Sequence, residues 1–128
     1  MGCILVVDSN DGFRVDLCNK LTRAGYFVVA AANGLEAVNL LQRYLPDVVI
    51  SEVVMPEMDG FELIRHIKRQ SLTPWIIAVH EDPKDADFSY LKMAHGCGAD
   101  FIAAKPCDTD ALVAMVGDLV KRVPKRSS

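Results

Sequence analysis

Four short runs of mostly apolar residues, separated by helix-length segments, constrain the fold of this chain more than any other feature. The runs cover Cys3–Val7, Val48–Ser51, Trp75–Val79 and Phe101–Ala104. Runs of this length without polar alternation are typical of central strands in a parallel sheet covered by helices on both faces. Open parallel sheets bind their ligands at the carboxyl ends of the strands. The pattern therefore predicts an α/β fold with a functional rim at that end of the sheet.

A polar or charged residue stands directly after each run, namely Asp8, Glu52, His80 and Lys105. The predicted sheet places these side chains at the same rim.

Along the chain we expect five strand–helix units. The first half of the chain predicts a helix over Gly12–Ala24, a strand over Tyr26–Ala32 and a helix with apolar Leu35, Val38 and Leu41 that closes before Pro46. The second half predicts a helix opened by Asp59 and a fourth helix that follows the polar segment Glu81–Asp87 and ends near Gly98. A last helix is capped by Asp108.

The length and charge set limits on domain number and partners. A chain of 128 residues predicts one domain, here over residues 1–123 with 124–128 as a tail or linker stub. The net charge of −3 is too mild to imply a field for polyanions, so we expect no nucleic acid to bind this domain. Lys121 and Arg122 belong to a basic C-terminal group, which favours either a solvated helix end or a linker.

The cysteines and the hydropathy predict the compartment. Cys3, Cys18, Cys97 and Cys107 show no C-x-x-C spacing, so free thiols in a reducing cytoplasm fit better than disulfides or a zinc site. No apolar stretch approaches the ~20 residues that cross a bilayer, and the first strand leaves no room for a signal peptide. We therefore expect a soluble cytoplasmic domain without membrane contact.

Three motifs resemble a known family when read together. Val7-Asp8, the segment from Glu52 to Gly60 (EVVMPEMDG) and Lys105-Pro106, in this order, are similar to the receiver domain of two-component response regulators. The resemblance extends from about Cys3 to about Val123. It implies a flavodoxin-like (βα)5 doubly wound sheet in the order 2-1-3-4-5. It also implies histidine kinases or downstream effectors as partners.

The position of Glu52 is the main departure from the family, because the resemblance places the phosphoaccepting aspartate there. Three interpretations are open. As a phosphoacceptor, Glu52 is disfavoured because its extra methylene moves the carboxylate out of line. As a fixed charge it would hold an activated-like state. As a structural group it would pair with Lys105, which is the interpretation we favour.

The predicted metal site is also reduced. The family holds its cation with a pair of acids after the first strand, and here that pair reads Asp8-Ser9. Asp8, Glu52 and the backbone carbonyl of Val54 then form at most a poor Mg²⁺ site, with Asp11 too far along the chain to substitute. Asp8, Glu52 and His80 together are a chemically reasonable but weakly supported set for Zn²⁺ or Mn²⁺.

Two further family positions are off pattern. His80 replaces the Ser or Thr whose hydroxyl bonds the phosphoryl oxygen, and we expect it to cap its strand and hydrogen-bond locally. Ile102 stands at the aromatic switch position, while Phe101 is one residue earlier and should point to the other face. The resemblance also implies a cis peptide before Pro106. The loop from Met55 to Gly60 should expose two methionines to a partner or be kept for its turn geometry.

These departures predict an atypical receiver domain that is not an enzyme and acts by protein–protein recognition, without a normal aspartyl-phosphate cycle. One alternative is a conventional phosphorelay regulator that still responds to a kinase. Another is a flavoprotein or enzyme on the same fold, although the loop Ser9–Gly12 lacks the phosphate cradle that a flavin nucleotide needs. Homodimerisation stays open.

Overall fold

Strands and helices alternate through the whole described part of the chain. The computed structural model describes residues 2–80, 89–105 and 107–122. The elements are β1 (Cys3–Val7), α1 (Asp11–Arg23), β2 (Phe27–Ala31), α2 (Gly34–Tyr44), β3 (Val48–Glu52), α3 (Gly60–Arg69), β4 (Trp75–His80), α4 (Ser89–Cys97), β5 (Phe101–Ala104) and α5 (Thr109–Val120).

The five strands form one parallel sheet in the order β2-β1-β3-β4-β5. The predicted flavodoxin-like order is therefore confirmed. The order places β1 and β3 side by side, with Val7 paired to Ser51. The chain passes from β1 to β2 on one side and then returns to add β3 on the other side of β1. Open α/β sheets bind their ligands at such topological switch points.

Helix starts follow the local capping chemistry. The side chain of Asp59 accepts the backbone N–H of Glu62 at the start of α3, and Asp108 accepts that of Asp110 at the start of α5. Both predicted caps are confirmed. The first helix begins one residue earlier than predicted, because Asn10 caps it through Phe13. The second strand is shorter than predicted, at Phe27–Ala31.

Two apolar layers sandwich the sheet. One layer packs α2, α3 and α4 against one face, with Leu41, Leu63 and Ile64 fully or almost fully buried. The other packs α1 and α5 against the opposite face, with Leu17 and Leu119 at its centre. The helix predicted before Pro46 is present as α2, in which Leu41 is fully buried and Leu35 is 49% exposed.

The loop between β3 and α3 packs inward, contrary to the expectation of two exposed methionines. Met55 is only 8% exposed and belongs to the core under α2 and α3. Met58 is half-buried, and its carbonyl accepts the backbone N–H of Gly34 at 2.9 Å. The loop therefore contributes to the packing of α2, and its methionines do not form an exposed partner surface.

The remaining expectations divide between described and undescribed residues. All four cysteines are free, partly buried thiols, and burial raises the pKa of Cys3, Cys18 and Cys107. Across the described ranges, no helix is both long and apolar enough to span a membrane. The segment Glu81–Asp87, the peptide at Pro106 and the tail 124–128 lie outside the described residues.

Candidate functional site

Four polar residues meet at the carboxyl rim of the sheet. Glu52 and His80 are the last residues of β3 and β4, while Asp8 and Lys105 directly follow β1 and β5. The backbone holds them in place, since Asp8 N–H donates to the Ala31 carbonyl at 3.1 Å and Lys105 N–H to the His80 carbonyl at 2.8 Å. The structure therefore places all four residues at the end of the sheet that the strand pattern indicates.

The tightest contact in this group joins Lys105 to Asp8. Lys105 Nζ lies 2.7 Å from Asp8 Oδ2, and the two side chains are only 8% and 2% exposed. The other oxygen, Asp8 Oδ1, accepts the backbone N–H of Asn10 at 2.8 Å. The Arg14 guanidinium donates to the backbone carbonyl of Asp8 at 2.6 Å, which anchors the chain at this point. Both oxygens of the Asp8 carboxylate are thus engaged by donors.

Glu52 is held mainly by its neighbour across the switch point. Its Oε2 accepts two hydrogen bonds from Ser9, one from the backbone N–H at 3.1 Å and one from Oγ at 2.9 Å. Its Oε1 lies 3.9 Å from Lys105 Nζ, beyond hydrogen-bond distance. The predicted ion pair of Glu52 with Lys105 is therefore present as a longer contact, while the closer partner of Lys105 is Asp8.

The electrostatic environment disfavours charge on Glu52. Burial and then the nearby Asp8 carboxylate raise the pKa of Glu52, while the two Ser9 hydrogen bonds oppose that rise. Two carboxylates so close to each other repel when both are ionised, and the single ammonium of Lys105 has to balance them. The rim is consequently an acid pair with one internal cation.

Two residues in this site were missed as site residues by the sequence reasoning. Phe13 has no site role in the sequence analysis, yet Lys105 Nζ lies 4.1 Å from the centroid of its ring. Ser9 was expected only as a lost acid, yet it supplies both donors to Glu52. The available signals were the position of Ser9 directly after Asp8 and of an aromatic residue one helical turn further on.

His80 is buried at the end of β4. The residue is 6% exposed, and its ring lies edge-on to the ring of Tyr90 at a centroid distance of 5.0 Å. Among the residues that the structure describes, neither ring nitrogen has a hydrogen-bond partner. The expected local hydrogen bonds of His80 are therefore not formed with any described residue, and its imidazole packs against an aromatic ring.

The two candidate switch residues point to opposite faces of β5, as expected from strand alternation. Phe101 packs on Trp75 at a centroid distance of 6.3 Å, within the layer formed with α5. Ile102 is 39% exposed on the other face. The position that the family fills with an aromatic switch thus presents a branched aliphatic side chain to solvent.

The donor set fits a divalent cation poorly. Mg²⁺ needs a near-octahedral shell of oxygen ligands, but Asp8 is bound to Lys105 and Glu52 to Ser9. Asp11 is 84% exposed and pairs with Arg14, so it does not replace the missing acid. Val54 lies beside Glu52 in the β3–α3 loop. Over the residues that the structure covers, no three His, Cys, Asp or Glu side chains come together as a metal-binding group.

Comparison with known sequences gives a single family. The profile of the response regulator receiver domain matches residues 4–117. The chain is 30% identical to the transcriptional regulatory protein AfsQ1 of Streptomyces coelicolor over 128 residues, which is all of this chain and 55% of that protein. It is 33% identical to the probable transcriptional regulator ycf27 of Guillardia theta, over 95% of this chain and 46% of that protein. The chain thus spans about half the length of these relatives.

Solved structures agree with this assignment. The chemotaxis response regulator CheY4 of Vibrio cholerae superposes with a TM-score of 0.79 at 30% identity, over 93% of this chain and 98% of that one. The receiver domain of a Francisella response regulator has the same fold, with a TM-score of 0.85 at 24% identity over 95% of this chain and 98% of that one. The rim of Asp8, Glu52 and Lys105 is therefore set in a sheet of known family, and the chain belongs to the receiver domains of two-component response regulators.

Proposed function

We propose that this receiver domain acts by protein–protein recognition and does not run an aspartyl-phosphate cycle. Response regulator receiver domains are signalling proteins that interact with histidine kinases and effectors, and they typically bind Mg²⁺ at the phosphorylation site. The observation that carries the proposal is the buried 2.7 Å contact between Lys105 and Asp8, combined with the hydrogen bonds that fix Glu52 to Ser9.

Glu52 is a poor phosphoacceptor for geometric reasons. Phosphoryl transfer depends on in-line placement of the nucleophile and on a cation that neutralises the moving oxygens. The Glu52 side chain is one methylene longer than the family aspartate, and its Oε2 is turned toward the loop after β1 by two donors. Freeing this oxygen for attack would break both hydrogen bonds inside a site where Glu52 is only 16% exposed.

The residues that would report a phosphoryl group are replaced as well. In the family a hydroxyl on β4 follows the phosphoryl oxygen inward, but His80 brings a buried imidazole packed on Tyr90. The aromatic switch on β5 is replaced by exposed Ile102. These two changes support a domain in which the switch no longer operates. Weak Mg²⁺ binding through Asp8, Glu52 and Val54 remains compatible with this proposal.

The contact surface we propose is the face formed by α4, β5 and α5, by analogy with the family. It exposes Tyr90, Met93 and Ile102, which are 38%, 54% and 39% accessible. A cavity of about 480 Å³ opens on the same face, lined by Lys92, His95, Asp100, Phe101, Ile102 and Met115. A histidine kinase or a downstream effector is the proposed partner, and a second copy of the chain would use the same face.

The proposal is tested with a small phosphodonor and Mg²⁺, read by intact mass and by ³¹P NMR. The wild-type protein should gain no phosphoryl group. The double variant Ser9→Asp, Glu52→Asp rebuilds the acid pair and the shorter acceptor, so it should gain measurable acyl phosphate. The receiver of CheY4 serves as the positive control.

One result would establish the conventional alternative. If the wild-type protein takes up one phosphoryl group and Glu52→Gln does not, Glu52 is a working acceptor and the domain is an ordinary phosphorelay regulator. Family membership argues against the flavoprotein alternative, and an absorbance spectrum of the purified protein without a flavin band would agree with that.

A further inference from the structure

The rim concentrates charge in a place that is largely shielded from water. The side chains of Asp8, Lys105 and Glu52 are 2%, 8% and 16% exposed. Buried charges are costly unless they are paired and hydrogen-bonded. Of these three charges only Lys105 is positive, so it alone compensates the two acids.

Three contacts fix the position of the Lys105 ammonium. Asp8 Oδ2 accepts its hydrogen bond at 2.7 Å, Glu52 Oε1 lies at 3.9 Å, and the centroid of the Phe13 ring lies at 4.1 Å. A cation at this distance over an aromatic face is attracted by the negative potential of the ring, and more so when water is excluded. Phe13 therefore supplies a third favourable contact to the ammonium, in addition to the two acids.

We propose that the Lys105 ammonium, held between the Asp8 carboxylate and the face of the Phe13 ring, is a built-in cation that takes the place of the divalent metal ion. The inference rests on the proposed function, because it assigns to a side chain of this domain the charge balance that Mg²⁺ typically provides at the phosphorylation site of receiver domains. Phe13 acts as a positioning residue, because its proposed role is only to hold the Lys105 ammonium in place.

Competition follows from the geometry. The Lys105 ammonium lies within 4 Å of both acids, so a divalent ion bound to Asp8 and Glu52 would come close to it. Two positive charges that are only a few ångströms apart repel strongly in a poorly hydrated site. The ion would also have to displace Lys105 from Asp8 Oδ2. Removing the ammonium should therefore open the site to metal ions.

The experiment measures Mn²⁺ binding from the EPR signal of the free ion, with no phosphodonor present. Wild type should bind weakly. Lys105→Met removes the charge and keeps much of the chain length, so its affinity should rise on the order of tenfold or more. Lys92→Met is the matched control, because Lys92 is an exposed lysine on α4 and the same net charge is lost.

Phe13 is tested separately by how easily Lys105 leaves its place. Phe13→Leu removes the ring, so Mn²⁺ affinity should rise a few-fold and reductive methylation of Lys105, followed by peptide mass spectrometry, should be faster. Phe13→Tyr keeps the ring face and should restore both values. Phe27→Leu changes an exposed phenylalanine on β2 and should have no effect.

Equal Mn²⁺ affinity of wild type and Lys105→Met would overturn the proposal. If Lys105→Met does not fold, an unchanged methylation rate in Phe13→Leu would overturn it instead. These results are independent of the phosphodonor test: a phosphorylated wild-type protein refutes the proposed function, whereas the Mn²⁺ titration reports only on whether Lys105 excludes the metal ion.

Discussion

The charge of Glu52 is costly at the position that this residue occupies. Its pKa is raised first by burial and then by Asp8, so ionising Glu52 disfavours the folded state. An acid whose pKa is higher in the folded state than in the unfolded state destabilises the protein above its folded pKa. That cost fades as the pH falls through the folded pKa and vanishes below the unfolded value.

We expect Glu52→Gln to be more stable than wild type at pH 7, because glutamine can still accept the Ser9 hydrogen bonds and carries no charge. The difference should narrow as the pH falls and disappear below about pH 4, where both residues are neutral. Thermal unfolding at a series of pH values measures this.

Glu62→Gln is the control with the opposite sign. Arg65 lowers the pKa of Glu62 through a hydrogen bond, so at neutral pH this variant should lose a little stability. A Glu52→Gln protein that is less stable than wild type at pH 7 would show that the contact with Lys105 outweighs burial.

The residue scale also shows what the sequence could predict of the site. Strand ends sufficed to place Asp8, Glu52, His80 and Lys105 at one rim. The sequence could not predict that Lys105 lies closer to Asp8 than to Glu52, because the two distances, 2.7 and 3.9 Å, differ by only about one ångström. The burial of the His80 ring could not be predicted either, since it depends on packing against Tyr90 in the next helix.

Among the elements, the loop from β3 to α3 depends on close backbone contact. A Cβ at Gly60 would overlap the carbonyl oxygen of Glu52 and approach Val53 Cα to 2.8 Å. The Gly60 N–H also donates to the Val53 carbonyl at 2.7 Å. The start of α3 is therefore pressed against the end of β3, and any displacement there reaches Glu52.

Gly60→Ala should cost about 1–3 kcal/mol in the free energy of unfolding, the usual range for overpacking a rigid contact. Gly96→Ala is the matched control, since a Cβ at Gly96 in α4 would meet nothing within 4 Å. It should be neutral or stabilise by up to about 1 kcal/mol through helix propensity. Urea unfolding of the two variants measures the difference, and equal effects would refute the close contact.

Local patterns predicted the elements well where the signal is local. Asp59 and Asp108 are capping residues whatever the rest of the chain does. Met55 was misplaced for the opposite reason, because its burial depends on how the β3–α3 loop packs against Gly34 at the start of α2. That is a tertiary contact, which the local sequence pattern does not contain.

At the scale of the whole molecule, the two apolar layers share one sheet and should unfold together. Trp75, the single tryptophan, packs in the layer of α1 and α5, while Ile64 lies in the other layer. A domain of this size normally unfolds in one cooperative transition. Fluorescence of Trp75 should therefore report damage on either side of the sheet.

We expect Ile64→Ala and Leu17→Ala each to cost about 2–5 kcal/mol, because each empties a buried position. Urea midpoints from Trp75 fluorescence and from far-UV circular dichroism should coincide in both variants. Separate midpoints in Ile64→Ala would show that the two layers melt independently.

The ion pair of Lys105 with Asp8 also bears on timing. An acyl phosphate has a lifetime, and that lifetime decides how long a receiver remembers a stimulus. Under the proposed function, in which Lys105 pairs with Asp8 and no acyl phosphate forms, the domain has no such lifetime. Signalling through such a domain would then be controlled by the concentration of the protein and by its recruitment to particular partners.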